Sequence, residues 1–284
     1  MSDKKQNEAI YFGLGDRIYR WEHGQFSQPT RVTERPDTVT GLLLLENGDI
    51  LDSCRDGSVR STLNETTRIE YGGHVTGIHL IPRRLQHLKE SASLPILTVL
   101  NASGAIYILT DHMVISENKG CRSGLSQSLA TNDQIIWTEG GDVYWGPDKK
   151  TPMYSRKQNG STDFAKIILS PDGELFFRLV PSGSGGAEKK QLLINKDGRT
   201  LWEHDYHEQG KIVLAGFYQW DGEPHFFFAT GKTRGPASWN LYTIPSYRFG
   251  RQDPTLITDV IGPKPTQYGM PNPFVAVPLP RRDD

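Results

Sequence analysis

A short unit recurs along this chain: a tight turn rich in Gly and Asp, then a strand in which β-branched and aromatic residues alternate with polar ones. It reads Gly15-Asp16-Arg17-Ile18-Tyr19-Arg20-Trp21, then Asp56-Gly57-Ser58-Val59-Arg60, then Ser103-Gly104-Ala105-Ile106-Tyr107-Ile108, then Gly140-Gly141-Asp142-Val143-Tyr144-Trp145. Gly and Asp supply the positive-φ positions of two-residue hairpin turns, and a period of two is the signature of a strand. The intervals are about 40, 47 and 37 residues, within the range of roughly 40 to 50 expected for the repeating sheets of a β-propeller. The longest interval contains Arg83-Arg84-Leu85-Gln86-His87-Leu88-Lys89-Glu90, a polar, helix-permissive insertion between Pro82 and Pro95.

A second repeat runs ahead of the first. Val39-Thr40-Gly41-Leu42 and Val75-Thr76-Gly77-Ile78 each open an apolar run, and Phe164 to Leu169 and Lys211 to Tyr218 read the same way. A run apolar on both faces suits an inner strand packed between neighbouring sheets. Four strands per unit then give blades at 39–70, 75–118, 125–157, 164–206 and 211–260, while residues 8–35 hold three strands. Phe274-Val275-Ala276-Val277 supplies the missing inner strand, so the expected fold is an all-β, six-bladed β-propeller. Its ring would close by pairing of the N- and C-terminal strands. Seven blades, with the stretch from Asp253 forming its own, is the alternative, although six prolines between Pro263 and Pro280 argue against further ladder strands there. A β-sandwich is the plainer alternative, but it has no reason to repeat one turn and strand at near-constant spacing. The whole of 1–284 reads as one domain, with a disordered N-terminus at 1–7, the insertion at 82–95 and a tail at 278–284.

Composition limits function more than it assigns it. The net charge of −1 supplies no general attraction to phosphates, so nucleic acid is not the expected partner. The two cysteines, Cys54 and Cys121, have no zinc-ligand spacing, and their scarcity fits a reducing compartment. No apolar stretch reaches membrane-spanning length and the N-terminus has no signal-like core, which leads to an expected cytoplasmic location.

Ser53 followed by Asp56-Gly57-Ser58-Val59-Arg60 resembles the third-strand hairpin of WD-repeat proteins, and Gly73-His74 before Val75 resembles the Gly-His pair ahead of their inner strand. Trp21-Glu22 and Trp202-Glu203 stand near where such a repeat ends in Trp-Asp. No unit combines all three signals, and Asp197-Gly198-Arg199-Thr200-Leu201-Trp202 is closer to quinoprotein-like propellers. The resemblance implies interaction work, since WD-repeat proteins are mostly platforms for other proteins.

No catalytic constellation emerges: there is no nucleophile elbow and no phosphate loop. His204-Asp205-Tyr206-His207-Glu208 is the densest cluster of ligand types, but on a strand His204 and His207 point to opposite faces. A calcium-dependent lactonase at a central channel is the enzymatic alternative. Of the inner-strand starts, however, only Asp163 is a carboxylate, and a hard cation needs more oxygen ligands. The Asp residues beside Gly read as turn formers. We therefore expect a non-enzymatic scaffold with no cofactor and no metal.

Two connections depart from the tight-turn rule, Pro181 to Lys190 and Gly231 to Ser238. Both should join second to third strands of consecutive blades and emerge on one face. Lys189, Lys190, Lys232 and Arg234 would suit an acidic segment of a protein partner, with Trp239 as an aromatic contact. A carbohydrate-binding alternative needs Trp21, Trp145, Trp202 or Trp239 exposed. The insertion, on the opposite face, is either a docking helix or a cap on its own blade.

Overall fold

The structure, a computed structural model, describes residues 7–23, 28–102, 105–111, 113–119, 128–130, 135–139, 142–145, 152–154, 162–170, 174–181, 190–195, 199–205, 211–231, 238–249, 251–261 and 273–279. These residues form antiparallel sheets of four strands each. One contains β1 (Glu8–Leu14), β2 (Arg17–Glu22), β3 (Thr30–Glu34) and β24 (Phe274–Pro278). The next contains β4 (Val39–Leu44), β5 (Ile50–Cys54), β6 (Ser58–Ser61) and β7 (Thr67–Glu70), followed by β8 (His74–Leu80), β9 (Ile96–Ala102), β10 (Ala105–Leu109) and β11 (Val114–Lys119). Then come β12 (Ser128–Ala130), β13 (Ile135–Glu139), β14 (Asp142–Trp145) and β15 (Pro152–Tyr154), and β16 (Thr162–Leu169), β17 (Leu175–Pro181), β18 (Lys190–Asn195) and β19 (Thr200–Asp205). The last is β20 (Lys211–Trp220), β21 (Glu223–Gly231), β22 (Ser238–Pro245) and β23 (Thr255–Ile261).

Every sheet but the first is a meander in sequence order, while the first runs β24-β1-β2-β3. There the two ends of the chain meet: Ile10 pairs with Ala276, and Tyr11 with Val275. Asn7 O also accepts from Leu279 N at 2.8 Å. Successive sheets touch through β4 on β8, β8 on β12, β14 on β16 and β16 on β20, and β20 packs on both β24 and β1. This succession of small antiparallel sheets packed face to face is propeller-like, and it excludes two large sheets facing each other.

The turn residues explain the hairpins. Gly15, Gly48, Gly57 and Gly222 have positive φ, as does Asp221. Gly57 has no substitute: at φ +96°, a Cβ there would sit 2.2 Å from the Tyr71 carbonyl oxygen. Asp56 holds the same turn, its Oδ1 accepting from the Ser58 backbone N–H at 2.9 Å and the Ser58 hydroxyl at 2.6 Å. Asp56 is thus structural, as its Gly neighbour leads one to expect.

The core lies between sheets. Ile10, Phe12, Tyr19, Trp21, Leu214, Tyr218, Phe227, Trp239 and Leu241 pack where the β24–β1–β2–β3 sheet meets β20–β23. Ile168, Leu193, Trp202, Phe217, Phe226 and Phe228 fill the next junction, between β16–β19 and β20–β23. Fully burying one such side chain contributes about 1.5 to 3 kcal/mol, so these junctions supply most of what keeps neighbouring sheets together. One close approach needs glycine: a Cβ at Gly216 would lie 2.4 Å from the Phe274 ring, so β24 docks on β20 because no side chain stands between them.

The insertion folds as a 3₁₀ segment, Arg83–Glu90, kinked at Leu85. Leu88 is buried with Ile81, Leu97, Val99, Ile106 and Ile108, and Leu85 packs against them. Its apolar stripe therefore faces inward. The segment caps its own sheet and leaves Arg83, Arg84, Gln86 and His87 exposed.

Candidate functional site

The two long connections run from β17 to β18 and from β21 to β22, in each case from the second to the third strand of its sheet. The two sheets are consecutive and in contact through β16 and β20. Equivalent connections of neighbouring meanders leave from the same end of their strands, so this topology brings the two openings to one face. Lys189, Lys232 and Arg234 lie outside the described residues, and Lys190 is described only as the first residue of β18, paired with Asp205. The insertion joins β8 to β9, a first-to-second connection, and therefore leaves from the other end.

Trp239 does not belong to that face as a contact. Its side chain is 1% exposed, packed among Phe227, Leu241 and Val260 in the junction between sheets. The alternation along β22 turns it inward with Leu241, so it holds the sheets together and offers no ring to a partner. Trp21 and Trp202 are likewise buried, which removes both from a carbohydrate-binding surface. Trp145 is described only in its backbone.

Of the cluster around His204, only His204 is described with its side chain. His204 is buried, its ring 5.5 Å from Trp202 and 5.7 Å from Phe228, while Tyr206, His207 and Glu208 lie outside the described residues. Among the described residues no group of three or more His, Cys, Asp or Glu could hold a metal ion. His79 is buried, and the loss of water around its ring pushes its pKa down to about 4, as for a neutral core imidazole.

Two polar arrangements escaped the reading of the sequence. The first is buried between sheets. Arg35, just after β3, makes a bidentate pair with Asp52 on β5: Nε to Oδ1 at 2.9 Å and Nη2 to Oδ2 at 2.7 Å. Arg35 also donates to Thr33 Oγ1 at 3.1 Å, and Thr62 Oγ1 donates to Asp52 Oδ2 at 2.9 Å. Burial alone would lower the Arg35 pKa, but its hydrogen bond to Asp52 and the charge of that carboxylate overrule it, and the net effect is upward. Asp52 could have been suspected as a lone carboxylate within Ile50-Leu51-Asp52-Ser53-Cys54, a strand buried throughout.

The second lies where the chain's first and last sheets meet. His23, just after β2, has Nδ1 2.5 Å from the Tyr218 hydroxyl, which is also 2.9 Å from Thr243 Oγ1. The His23 ring stacks on Trp220 at 4.8 Å and meets His225 edge-on at 5.0 Å. His225 Nδ1 lies 3.1 Å from the Glu223 carbonyl oxygen. Burial, with the nearby His225 adding to it, pushes the His23 pKa down to about 4, and burial also lowers that of His225. No sequence signal marks this cluster, because it joins residues about 200 positions apart.

These features define a propeller-like, all-β protein in which two long connections leave consecutive sheets on one face. No family model matches the chain, and no curated protein matches it. Among solved structures, the chain is similar to the β-propeller domain of Myceliophteria thermophila Cps50 (Swd1), at 12% identity and a TM-score of 0.45 over 91% of this chain and 88% of that one. It is also similar to BBS1N, solved in complex with ARL6DN, at 11% identity and a TM-score of 0.45 over 93% and 84%. A Bacteroides uniformis protein assigned provisionally as a 6-phosphogluconolactonase is similar at 10% identity and a TM-score of 0.47 over 91% and 84%. Likenesses at these identities and scores assign this chain neither a family nor a chemistry.

Proposed function

We propose that the chain is a six-bladed β-propeller, its ring closed by the pairing of β24 with β1, that acts as a non-enzymatic scaffold for a protein partner. The binding lip in this reading is formed by the connections 182–189 and 232–237, with Lys189, Lys190, Lys232 and Arg234 receiving an acidic segment. The observation that carries it is the topology: two long, Gly-rich, basic connections occupy the same second-to-third position in consecutive, contacting sheets. Trp239, being buried, has no part in it. The scarcity of cysteine, with Cys54 free and buried, supports a reducing, cytoplasmic setting. No helix among the described residues is long and apolar enough to cross a membrane.

The test is an affinity pull-down from native lysate, read by mass spectrometry. It compares the wild type with a variant carrying Lys189→Ser, Lys190→Ser, Lys232→Ser and Arg234→Ser, shown by circular dichroism to be folded. A partner recovered with the wild type and lost with the variant is the expected result. Equal recovery with both moves the binding surface elsewhere, and no specific partner with either overturns the scaffold reading.

A further inference from the structure

The junction between the β24–β1–β2–β3 sheet and the β20–β23 sheet holds polar rings as well as apolar side chains. Beside its apolar side chains it holds two imidazoles in ring contact, His23 and His225, 5.0 Å apart. They are wedged against Trp220, Tyr218 and Trp21: His23 lies 4.8 Å from Trp220, 5.9 Å from Tyr218 and 5.7 Å from Trp21, and His225 lies 5.4 Å from Tyr218. His23 comes from the first sheet and His225 from the last, so the contact spans the place where the chain's beginning meets its end. Polar ties reinforce it nearby. Glu8 Oε2 accepts from the Gln219 backbone N–H at 2.6 Å, and Asn7 Oδ1 from that of Asp221 at 2.6 Å.

We propose that this junction is an acid-operated latch: neutral His23 and His225 hold the first and last sheets together, and protonation of the pair releases them while the remaining sheets stay folded. The charged form is disfavoured for two reasons visible in the geometry. His225 is buried and His23 half-buried among aromatic neighbours that displace water, and a charge on one ring stands against the other. The ionisable groups facing the pair do not reverse this. Tyr218 is a neutral phenol whose pKa burial raises further, and Glu8 is engaged by the Gln219 N–H. Glu22 is paired with Arg20 on its own strand. Asp221 and Glu223, in the β20–β21 turn, favour a charge on His225, but the loss of water around that ring outweighs them.

The direction follows from linkage. His23 binds its proton near pH 4 in the closed junction and near its ordinary 6.5 once released. Its contribution is therefore complete above 6.5 and is lost as the pH falls from 6.5 through about 4. Glu8, whose pKa burial raises, works the other way, since acidification favours its buried form. Acid-induced opening therefore reports the imidazoles, since Glu8 can only oppose it. Between pH 7.5 and 5, His23 alone would increase the open fraction about thirtyfold if its ring were wholly enclosed, and its partial exposure reduces this to roughly tenfold.

Hydrogen exchange by mass spectrometry at pH 7.5 and 5, corrected for the intrinsic pH dependence of exchange, reads this directly. The expected result is a roughly tenfold loss of protection in β1, β2, β20 and β21 at pH 5 with protection in β5 and β6, which hold no histidine, unchanged. The variant His23→Phe/His225→Phe keeps rings in both places and should hold its protection at both pH values. Unchanged protection in the wild type, an equal loss in the variant, or a loss spread evenly over all sheets would overturn the proposal. An NMR titration of the wild-type imidazoles gives a second measurement should the variant fold poorly, and a titration of both rings near 6.5 in the folded protein would overturn it as well.

Discussion

Replacing Asp52 by Asn should destabilise this protein more than any other single isosteric exchange among its described carboxylates, because it strands a buried cation. The Arg35 and Asp52 side chains are 3% and 0% exposed, and their two parallel hydrogen bonds measure 2.9 and 2.7 Å. Desolvating both charges costs several kcal/mol apiece, which the bidentate contact offsets only while both partners are present. Removing the Asp52 charge leaves Arg35 buried beside Thr33 and the Ser61 carbonyl, dipoles that cannot neutralise a guanidinium, with the exposed Glu65 carboxylate 4.0 Å away as a water-screened substitute. The expected cost of Asp52→Asn is about 3 to 5 kcal/mol, and Arg35→Met should cost a similar amount for the reciprocal reason. The double variant Arg35→Met/Asp52→Leu removes both charges and should recover most of that loss, to within about 1 to 2 kcal/mol of the wild type. Urea unfolding followed by tryptophan fluorescence measures all four corners of the cycle, with constant m-values expected. Single-variant costs below about 1 kcal/mol, or costs that simply add in the double variant, would refute the argument that this pair is held by mutual neutralisation in a dry junction.

Gly216→Ala should push the Phe274 ring off β20, costing about 1 to 3 kcal/mol, and limited proteolysis should then cut the C-terminal strand earlier than in the wild type. Gly57→Ala meets both a positive φ and the Tyr71 carbonyl oxygen, so its melting midpoint should fall by an amount corresponding to at least about 2 kcal/mol; an unchanged midpoint would mean that the turn can reshape freely. Burial, joined by the charges of Asp52 and Asp56, pushes the Cys54 thiol up to about 12. In a Cys121→Ser background it should resist a thiol reagent at pH 8 until urea unfolds the chain, and rapid labelling of the native protein would contradict its enclosed position.

The sequence by itself determined the strands and turns. Glycine and aspartate at Gly15-Asp16, Asp56-Gly57 and Asp221-Gly222 specify hairpins through backbone conformation that few other residues tolerate, and the alternation that follows them is a local property of the chain. The pairing of the residues around Phe274 with the first strand was also legible, because one sheet lacked a strand and one apolar run lacked a sheet. The fate of individual polar and aromatic side chains was not. Whether Trp239 faces a partner or a neighbouring sheet depends on which sheet lies against β22, and the answer was the core. Arg35 and Asp52, or His23 and His225, acquire meaning only when the tertiary structure brings them within a few ångströms of each other and takes them out of water. Local preference acts over a few residues, whereas desolvation and pairing depend on neighbours that the chain supplies from far away, and only the packed sheets decide which neighbours those are.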